Sequence, residues 1–207
     1  LYLPGHYWTG TIETLLLQIG DFYAMTTLKK AVFIDRDGVI NSDEGHYYIY
    51  KVEDFKINPG IFEGLKRLQD ADFLLVVITN QGGVAKGIYT EADIDLVHTY
   101  LKAQLKQNGI DLTDIFYCPH HDAVAPCDCR KPSPKMILDA CQKHHIDPKQ
   151  SFMIGDSGRD MEAGNAARLK ACFKIKANSS ILDACDHILN QPIWPPIHLF
   201  VALTANL

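Results

Sequence analysis

No run of about 18 uninterrupted apolar residues occurs in this chain, so the sequence predicts no membrane-spanning helix. Basic charge is not in excess either: 20 Lys and Arg stand against 25 Asp and Glu, for a net charge of −5 at pH 7. That balance argues against nucleic acid or an anionic membrane surface as the main partner. The chain does not open on a basic segment followed by an apolar one, which speaks against a secretory signal. Internal repeats and low-complexity tracts are also missing, which excludes arrays and disordered linkers. Cysteine is present six times, but without the spacing of a disulfide framework. Three cysteines crowd into residues 118–129 beside histidines, while Cys141, Cys172 and Cys185 fall singly in apolar segments. Such usage suits a metal site in a reducing compartment, and the cytoplasm is the expected address. Nothing points to an obligate protein partner, so a monomer is expected.

What is present is a chain of 207 residues, 47% hydrophobic, able to bury one full core. Residues 31–38 read Ala-Val-Phe-Ile-Asp-Arg-Asp-Gly: an apolar run that ends in two carboxylates one residue apart. A continuous β-prone run closed by an acidic, Gly-terminated turn predicts a buried parallel strand whose carboxyl end faces solvent. Strand alternation would send Asp35 and Asp37 the same way and Arg36 elsewhere. Two acids in one small space repel unless a cation lies between them, so a hard divalent metal is implied. One carboxylate could then act as nucleophile while the other moves protons.

Four further apolar runs resemble the first: Phe73–Thr79, Asp114–Cys118, Ser151–Gly155 and the weaker Lys170–Ile175. Helical periodicity fills the gaps. Ile61, Leu65 and Leu68 share one face, as do Ile94, Val97, Leu101 and Leu105, with Thr90 and Asp93 as a start signal and Gly109 as a stop. Pro134 with Ile137, Leu138 and Cys141 marks a third helix, and Asp160 to Arg168 a fourth. Strand alternating with helix predicts an α/β fold with a doubly wound, Rossmann-like parallel sheet covered on both faces. The domain is placed at residues 28–190. Residues 1–24, ahead of Met25 as a candidate start, are read as an extension without assignable chemistry, and residues 191–207 as a Pro- and Trp-bearing tail.

In such a sheet the strand ends converge, and every one of them carries a group suited to phosphate. Asp35 and Asp37 end the first strand, Thr79 and Asn80 the second; Arg130 and Lys131 precede the third helix, and Asp156 ends the fourth strand. Singly, Thr79 could satisfy a strand end, Arg130 and Lys131 could be a solvated pair, and Asp156 could cap a helix. Asp160 reads as a helix-surface acid or an outer support. Together at matching positions of successive βα units they supply what phosphoryl transfer needs: positioning, and neutralisation of charge on the equatorial oxygens.

Asp35-Arg36-Asp37-Gly38, Thr79-Asn80-Gln81, Arg130-Lys131-Pro132 and Gly155-Asp156-Ser157 resemble motifs I to IV of the haloacid dehalogenase superfamily of phosphatases. The segments 41–47, 81–87 and 117–120 make the chain similar to its D-glycero-D-manno-heptose 1,7-bisphosphate phosphatases, relatives of the histidinol-phosphatases. The resemblance implies that Asp35 attacks phosphorus and that Asp37 protonates the leaving sugar oxygen. It implies Mg²⁺ on the Asp35 carboxylate, the Asp37 backbone carbonyl and Asp156, and phosphoryl binding by Thr79 and Lys131. Arg130, Asn80, Gln81, Gly82, Ser157 and the loop Asp43, Glu44, Gly45 and His46 are the implied substrate contacts, although relatives often place Lys where this chain has Ser157. The implied substrate is a small phosphorylated sugar on the way to nucleotide-activated heptose; histidinol phosphate is the alternative. A zinc-ordered module that binds phosphorylated ligands without turnover is a further alternative, against which the intact carboxylate pair argues.

Only 41 residues separate Asp37 from Thr79, which leaves no room for a sizeable cap domain, so the enzyme is expected to be capless with residues 39–56 as a short flap. Cys118, His120, Cys127 and Cys129 place three thiols and an imidazole within twelve residues, the donor set of a closed structural Zn²⁺ site. His121 is the competing imidazole. Folding of that short loop would help aim Arg130 and Lys131. The histidines at 98, 144, 145 and 187 are read as surface or packing residues.

Overall fold

Strand β1 (Ala31–Ile34) has all four residues fully buried and is the middle of a five-stranded sheet in a computed structural model that describes residues 28–190. The expected extension at 1–24 and tail at 191–207 lie outside the described residues. After β1 come a two-stranded antiparallel hairpin, β2 (Asn41–Ser42) and β3 (Lys56–Ile57), then α1 (Ile61–Asp70), β4 (Leu74–Asn80), α2 (Glu91–Gln107) and β5 (Asp114–Cys118). The chain then returns to the other side of β1 through α3 (Lys135–His144), β6 (Phe152–Gly155), α4 (Gly158–Ala166), β7 (Ala171–Lys174) and α5 (Leu182–Leu189). The order β5-β4-β1-β6-β7, parallel throughout, is doubly wound, with the direction of winding reversing at β1. Ligands in such sheets sit at that reversal, outside the carboxyl ends of the strands.

Alternation along the central strands builds two cores. Val32, Ile34, Leu75 and Val77 point to one face, covered by α1, α2 and α5; Ala31, Phe33, Val76 and Ile78 point to the other, covered by α3 and α4. A strand that must feed both cores reads as an unbroken apolar run, and this is why the signal at 31–34 is so plain. Burying a side chain such as Phe33 contributes about 2–3 kcal/mol. The helical stripes land as the periodicity predicts, with Ile61, Leu65, Leu68, Ile94, Val97, Leu101 and Leu105 all at 0% exposure. Thr90 caps α2, its Oγ1 accepting from the Asp93 amide at 3.2 Å while Asp93 Oδ2 accepts from the Thr90 amide at 2.7 Å. Leu138 departs from its expected place in the core. It is 45% exposed, because one step from Ile137 turns it about 100° off the buried stripe of α3.

Between β1 and β4 lie only the β2–β3 hairpin, a single 3-10 turn within it at Val52–Asp54, and α1, so no cap domain is inserted there. Val39, Ile40 and Ile49 anchor the flap in the core while its tip stays outside. No helix among the described residues is long and apolar enough to cross a membrane.

Candidate active site

A cavity of about 470 Å³ opens at the reversal point, bordered by the ends of β1, β4 and β6. Asp35, Asp37, Thr79, Asn80, Arg130, Lys131 and Asp156, spread over more than a hundred residues of sequence, meet there, and Asp43, Gly82 and Ser157 join them. Oxygens of Asp35, Asp156 and Asp160 lie within 4.8 Å of one another, a spacing one divalent ion can span.

Lys131 organises the floor. It is 2% exposed, and its ammonium donates to the Ile78 carbonyl at 2.8 Å and lies 2.9 Å from Asp35 Oδ1 and 2.5 Å from Asp160 Oδ1. Burial opposes its charge, but the carboxylates of Asp35 and Asp160 outweigh burial and hold its pKa above the ordinary lysine value. It therefore stays a cation at the base of the cavity. Asn80 fixes its backbone, accepting from the Lys131 amide at 3.0 Å and donating to the Lys131 carbonyl at 3.1 Å.

The acids respond to crowding. Burial raises Asp35 from 3.8 to about 7, with the neighbouring Asp160 and Asp37 adding to it and Lys131 opposing it. Asp156 is also raised, first by burial and then by Asp160. Hard oxygen donors held together at a cost to their own ionisation fit a divalent cation such as Mg²⁺. Asp160 is fully buried, not a helix-surface acid. Gly155 makes this possible: a Cβ there would sit 2.3 Å from Asp160 Cβ. Both oxygens of Asp160 are engaged by protein, Oδ1 by Lys131 and Oδ2 by the Ser157 amide at 3.0 Å and hydroxyl at 2.6 Å. It acts as an outer support for the cluster. Ser157, rather than Asp156, is the N-cap of α4.

This cluster has a pH signature. A folded-state pKa of about 7 against 3.8 means the folded protein holds the Asp35 proton more tightly than the unfolded chain. The associated stability is complete below about pH 4 and is lost as pH rises through 7, a change on the order of a few kcal/mol. Magnesium-free protein is therefore expected to melt at lower temperature at pH 8 than at pH 5.5. Millimolar Mg²⁺ should raise the melting temperature more at pH 8, because the cation replaces the proton; an equal shift at both pH values would contradict a carboxylate-held ion.

Arg36 does not point away. The strand ends at Ile34, so alternation no longer governs residue 36, and the side chain folds back, fully buried, onto its neighbour. Asp37 Oδ1 accepts from Arg36 Nε at 3.0 Å and Nη2 at 2.9 Å and from Asn41 Nδ2 at 3.0 Å; Oδ2 accepts from Arg36 Nη2 at 2.9 Å and Gln81 Nε2 at 2.8 Å. The guanidinium also donates to the Ile49 carbonyl at 2.6 Å and to His98 Nε2 at 3.2 Å. His98 is thus not simple packing. Burial, then the Arg36 charge, lowers its pKa to about 3, so the ring stays neutral and accepts from Arg36.

Four expected substrate contacts fall elsewhere. Gln81 is 1% exposed and lies behind the cavity wall. Glu44 borders a separate small cavity beside Lys176 and Asn178, Gly45 lines neither cavity, and His46 stands 4.0 Å from Asp54 Oδ2. Of the loop, Asp43 alone faces the site, tied back by Asn178 Nδ2 at 2.9 Å. The sequence reading did not place Tyr47, Tyr48 or Arg159 in the site, and it weighed His121 only as a competing zinc ligand; all four are on the cavity wall. Two exposed-side aromatics in a flap were the available signal for Tyr47 and Tyr48.

Beside the cavity, Cys118, His120, Cys127 and Cys129 form the second group that could hold a metal ion. Their sulfurs are 3.0, 3.6 and 3.8 Å apart, and His120 Nδ1 lies 3.3 Å from Cys129 Sγ and 3.8 Å from Cys118 Sγ. Burial pushes the Cys118 thiol well above its usual pKa, a penalty that a bound cation would reverse. Arg130 leans on this loop through the His120 carbonyl at 3.0 Å.

An acid at the carboxyl end of the central strand, with a fixed ammonium against it and no cap above, belongs to phosphatases of the haloacid dehalogenase class. A HAD-hydrolase-like family model matches residues 128–173. The D-glycero-alpha-D-manno-heptose-1,7-bisphosphate 7-phosphatase of Photorhabdus laumondii is 42% identical over 153 residues, covering 71% of this chain and 82% of the relative. The D-glycero-beta-D-manno-heptose-1,7-bisphosphate 7-phosphatase of Escherichia coli K12 is 37% identical over 171 residues, covering 78% and 88%. A solved structure of the D,D-heptose 1,7-bisphosphate phosphatase from B. bronchiseptica, complexed with magnesium and phosphate, superposes with a TM-score of 0.65 at 30% identity over 79% of this chain and 88% of that one. The chain belongs to this heptose bisphosphate phosphatase family.

Proposed function

We propose that the protein removes the 7-phosphate from D-glycero-D-manno-heptose 1,7-bisphosphate through an aspartyl-phosphate on Asp35. The observation that carries this reading is the meeting of Asp35, Asp37, Thr79, Lys131 and Asp156 around one cavity in a member of this family. Oδ1 of Asp35 is turned to Lys131 and to the Arg36 amide at 2.7 Å, which leaves Oδ2 for attack on phosphorus. As the bond from phosphorus to the sugar oxygen breaks, Asp37 delivers its proton to that oxygen. Asp37 then takes a proton from water, whose oxygen attacks phosphorus and releases Asp35 with inorganic phosphate. Thr79 and Lys131 hold the equatorial oxygens throughout. Mg²⁺ held by Asp35, the Asp37 carbonyl and Asp156 would supply neutralisation of phosphoryl charge.

Arg130, Arg159 and His121 at the mouth suit a substrate with a second phosphate. We assign structural Zn²⁺ to the Cys118, His120, Cys127 and Cys129 group, since tetrahedral Zn–S bonds of about 2.3 Å give sulfur separations of about 3.8 Å, close to two of the three pairs, at 3.6 and 3.8 Å. Four protein ligands leave no position for water, so the ion orders the loop and takes no part in the reaction.

A panel of both heptose bisphosphate anomers, histidinol phosphate and simple sugar monophosphates tests the assignment. A heptose bisphosphate is expected to show a kcat/KM at least about tenfold above any other member, the discrimination a few polar contacts supply. Faster turnover of histidinol phosphate would replace the reading with its alternative.

A further inference from the structure

Gln81 is a buried amide lodged between two site groups, and the reaction as described gives it nothing to do. Its Nε2 donates to Asp37 Oδ2 at 2.8 Å and to Thr79 Oγ1 at 3.0 Å, and its Oε1 accepts from the Tyr89 hydroxyl at 2.9 Å. The Gln81 main-chain amide donates to the Cys118 carbonyl at 2.7 Å. All of its side-chain polar atoms are therefore spent inside the protein.

Tyr89 is held as firmly. It is 4% exposed, stacked on Tyr50 at 4.9 Å between centroids and edge-on to Tyr48 at 5.5 Å. Gly83 has no side chain where the ring lies; a Cβ there would meet Tyr89 Cε1 at 2.1 Å. Tyr48 is on the cavity wall, so this aromatic cluster joins the flap to Gln81. One side chain thus fixes the spacing between the group that gives up the proton and the hydroxyl that grips the phosphoryl oxygens.

We propose that Gln81, oriented by Tyr89, is a positioning residue that holds Asp37 and Thr79 in register for expulsion of a sugar alkoxide, without touching substrate. The proposal rests on the reading of Asp37 as the proton donor. Its consequence depends on the leaving group. A sugar oxygen departs as a strongly basic alkoxide unless it is protonated, whereas p-nitrophenolate leaves without a proton. Loosening Asp37 should therefore slow transfer of phosphorus to Asp35 far more for the first than for the second, whereas the later hydrolysis, in which Asp37 acts as base, is common to both.

The test compares Gln81→Leu and Tyr89→Phe in the full chain, with metals retained, on the best sugar phosphate of the panel above and on p-nitrophenyl phosphate, reading the pre-steady-state release of the leaving group that precedes hydrolysis of the aspartyl-phosphate. The expected loss in the rate of that release is about 30-fold or more on the sugar phosphate for Gln81→Leu and about tenfold for Tyr89→Phe, with KM within about twofold and loss on the aryl ester below about threefold. Tyr89→Phe removes one oxygen and serves if Gln81→Leu does not fold. Equal losses in release from both esters, a KM effect with the release rate retained, or no effect would each overturn the positioning role. Asp37→Asn separates the two possible failures. If it too loses both esters equally, Asp37 is not the proton donor and this proposal falls with it. If it shows the selective loss and Gln81→Leu does not, only the positioning role falls.

Discussion

Asp35→Asn is expected to lower turnover of the sugar bisphosphate by on the order of 10⁴-fold or more while leaving the fold and the loop metal in place. An amide oxygen is a poor nucleophile and cannot form the aspartyl-phosphate, so the covalent route closes. The replacement is nearly isosteric, and its Oδ1 can still accept from the Lys131 ammonium and the Arg36 amide, which now stand 2.9 and 2.7 Å from Asp35. Stability should not suffer. Burial already raises Asp35 to about 7, so at pH 8 the native protein carries an ionised group that its surroundings resist, next to Asp156 and Asp160. Removing that charge relieves the repulsion, and the melting temperature at pH 8 should match or exceed that of the native chain in the absence of Mg²⁺. Steady-state kinetics with thermal unfolding checks both halves. Residual activity within about a hundredfold of native would mean that Asp35 is not the nucleophile. A collapse in melting temperature would mean that Lys131 depends on this carboxylate more than its contact with Asp160 suggests.

The strands around this site were readable because their residues serve both faces of the sheet. Val32 and Ile34 go one way and Ala31 and Phe33 the other, so no polar residue can interrupt 31–34, and the first one past it must sit at the rim. The same reasoning placed Thr79 and Asp156, since doubly wound connectivity carries every strand end to one side. Orientation was another matter. Arg36 lies beyond the last strand residue, where alternation ceases, and the attraction of Asp37 decides where it goes. Asn80, Gln81 and Ser157 carry groups that suit substrate as well as protein; only folding shows that backbone and neighbouring side chains take them first. Of the two readings of Asp160, the surface one failed, because a helix after a strand end normally shows its first turn to solvent and the space opened by Gly155 reverses that. His98 had a usable signal. It stands four residues after Ile94, on the stripe that α2 buries, and a polar ring on such a stripe needs a partner.

Loss of the loop metal should be the other large effect, and it reaches the chemistry through Arg130. Cys129→Ser removes one of the four ligands assigned to zinc from a segment with almost no core of its own: Val124 is 57% exposed, and of the donors only Cys118 is fully buried. A cross-link around a loop of this size is worth about 3 kcal/mol, which corresponds to roughly 6–12 °C in melting temperature for a domain of about this length. The functional loss should be greater than the structural one. Arg130 follows Cys129 directly and rests on the His120 carbonyl, while Lys131 follows Arg130 and places its ammonium within hydrogen-bond reach of Asp35. A shift of about 1 Å at such groups costs on the order of a hundredfold in rate, so kcat/KM should fall about that far while Mg²⁺ still binds. Metal analysis of the native protein should return one zinc per chain, and Co²⁺ in its place should give the strong visible absorption of a tetrahedral thiolate site. A Cys129→Ser enzyme with native kcat/KM would show that the loop does not aim Arg130. Native protein free of zinc yet fully active would remove the ion from the account altogether.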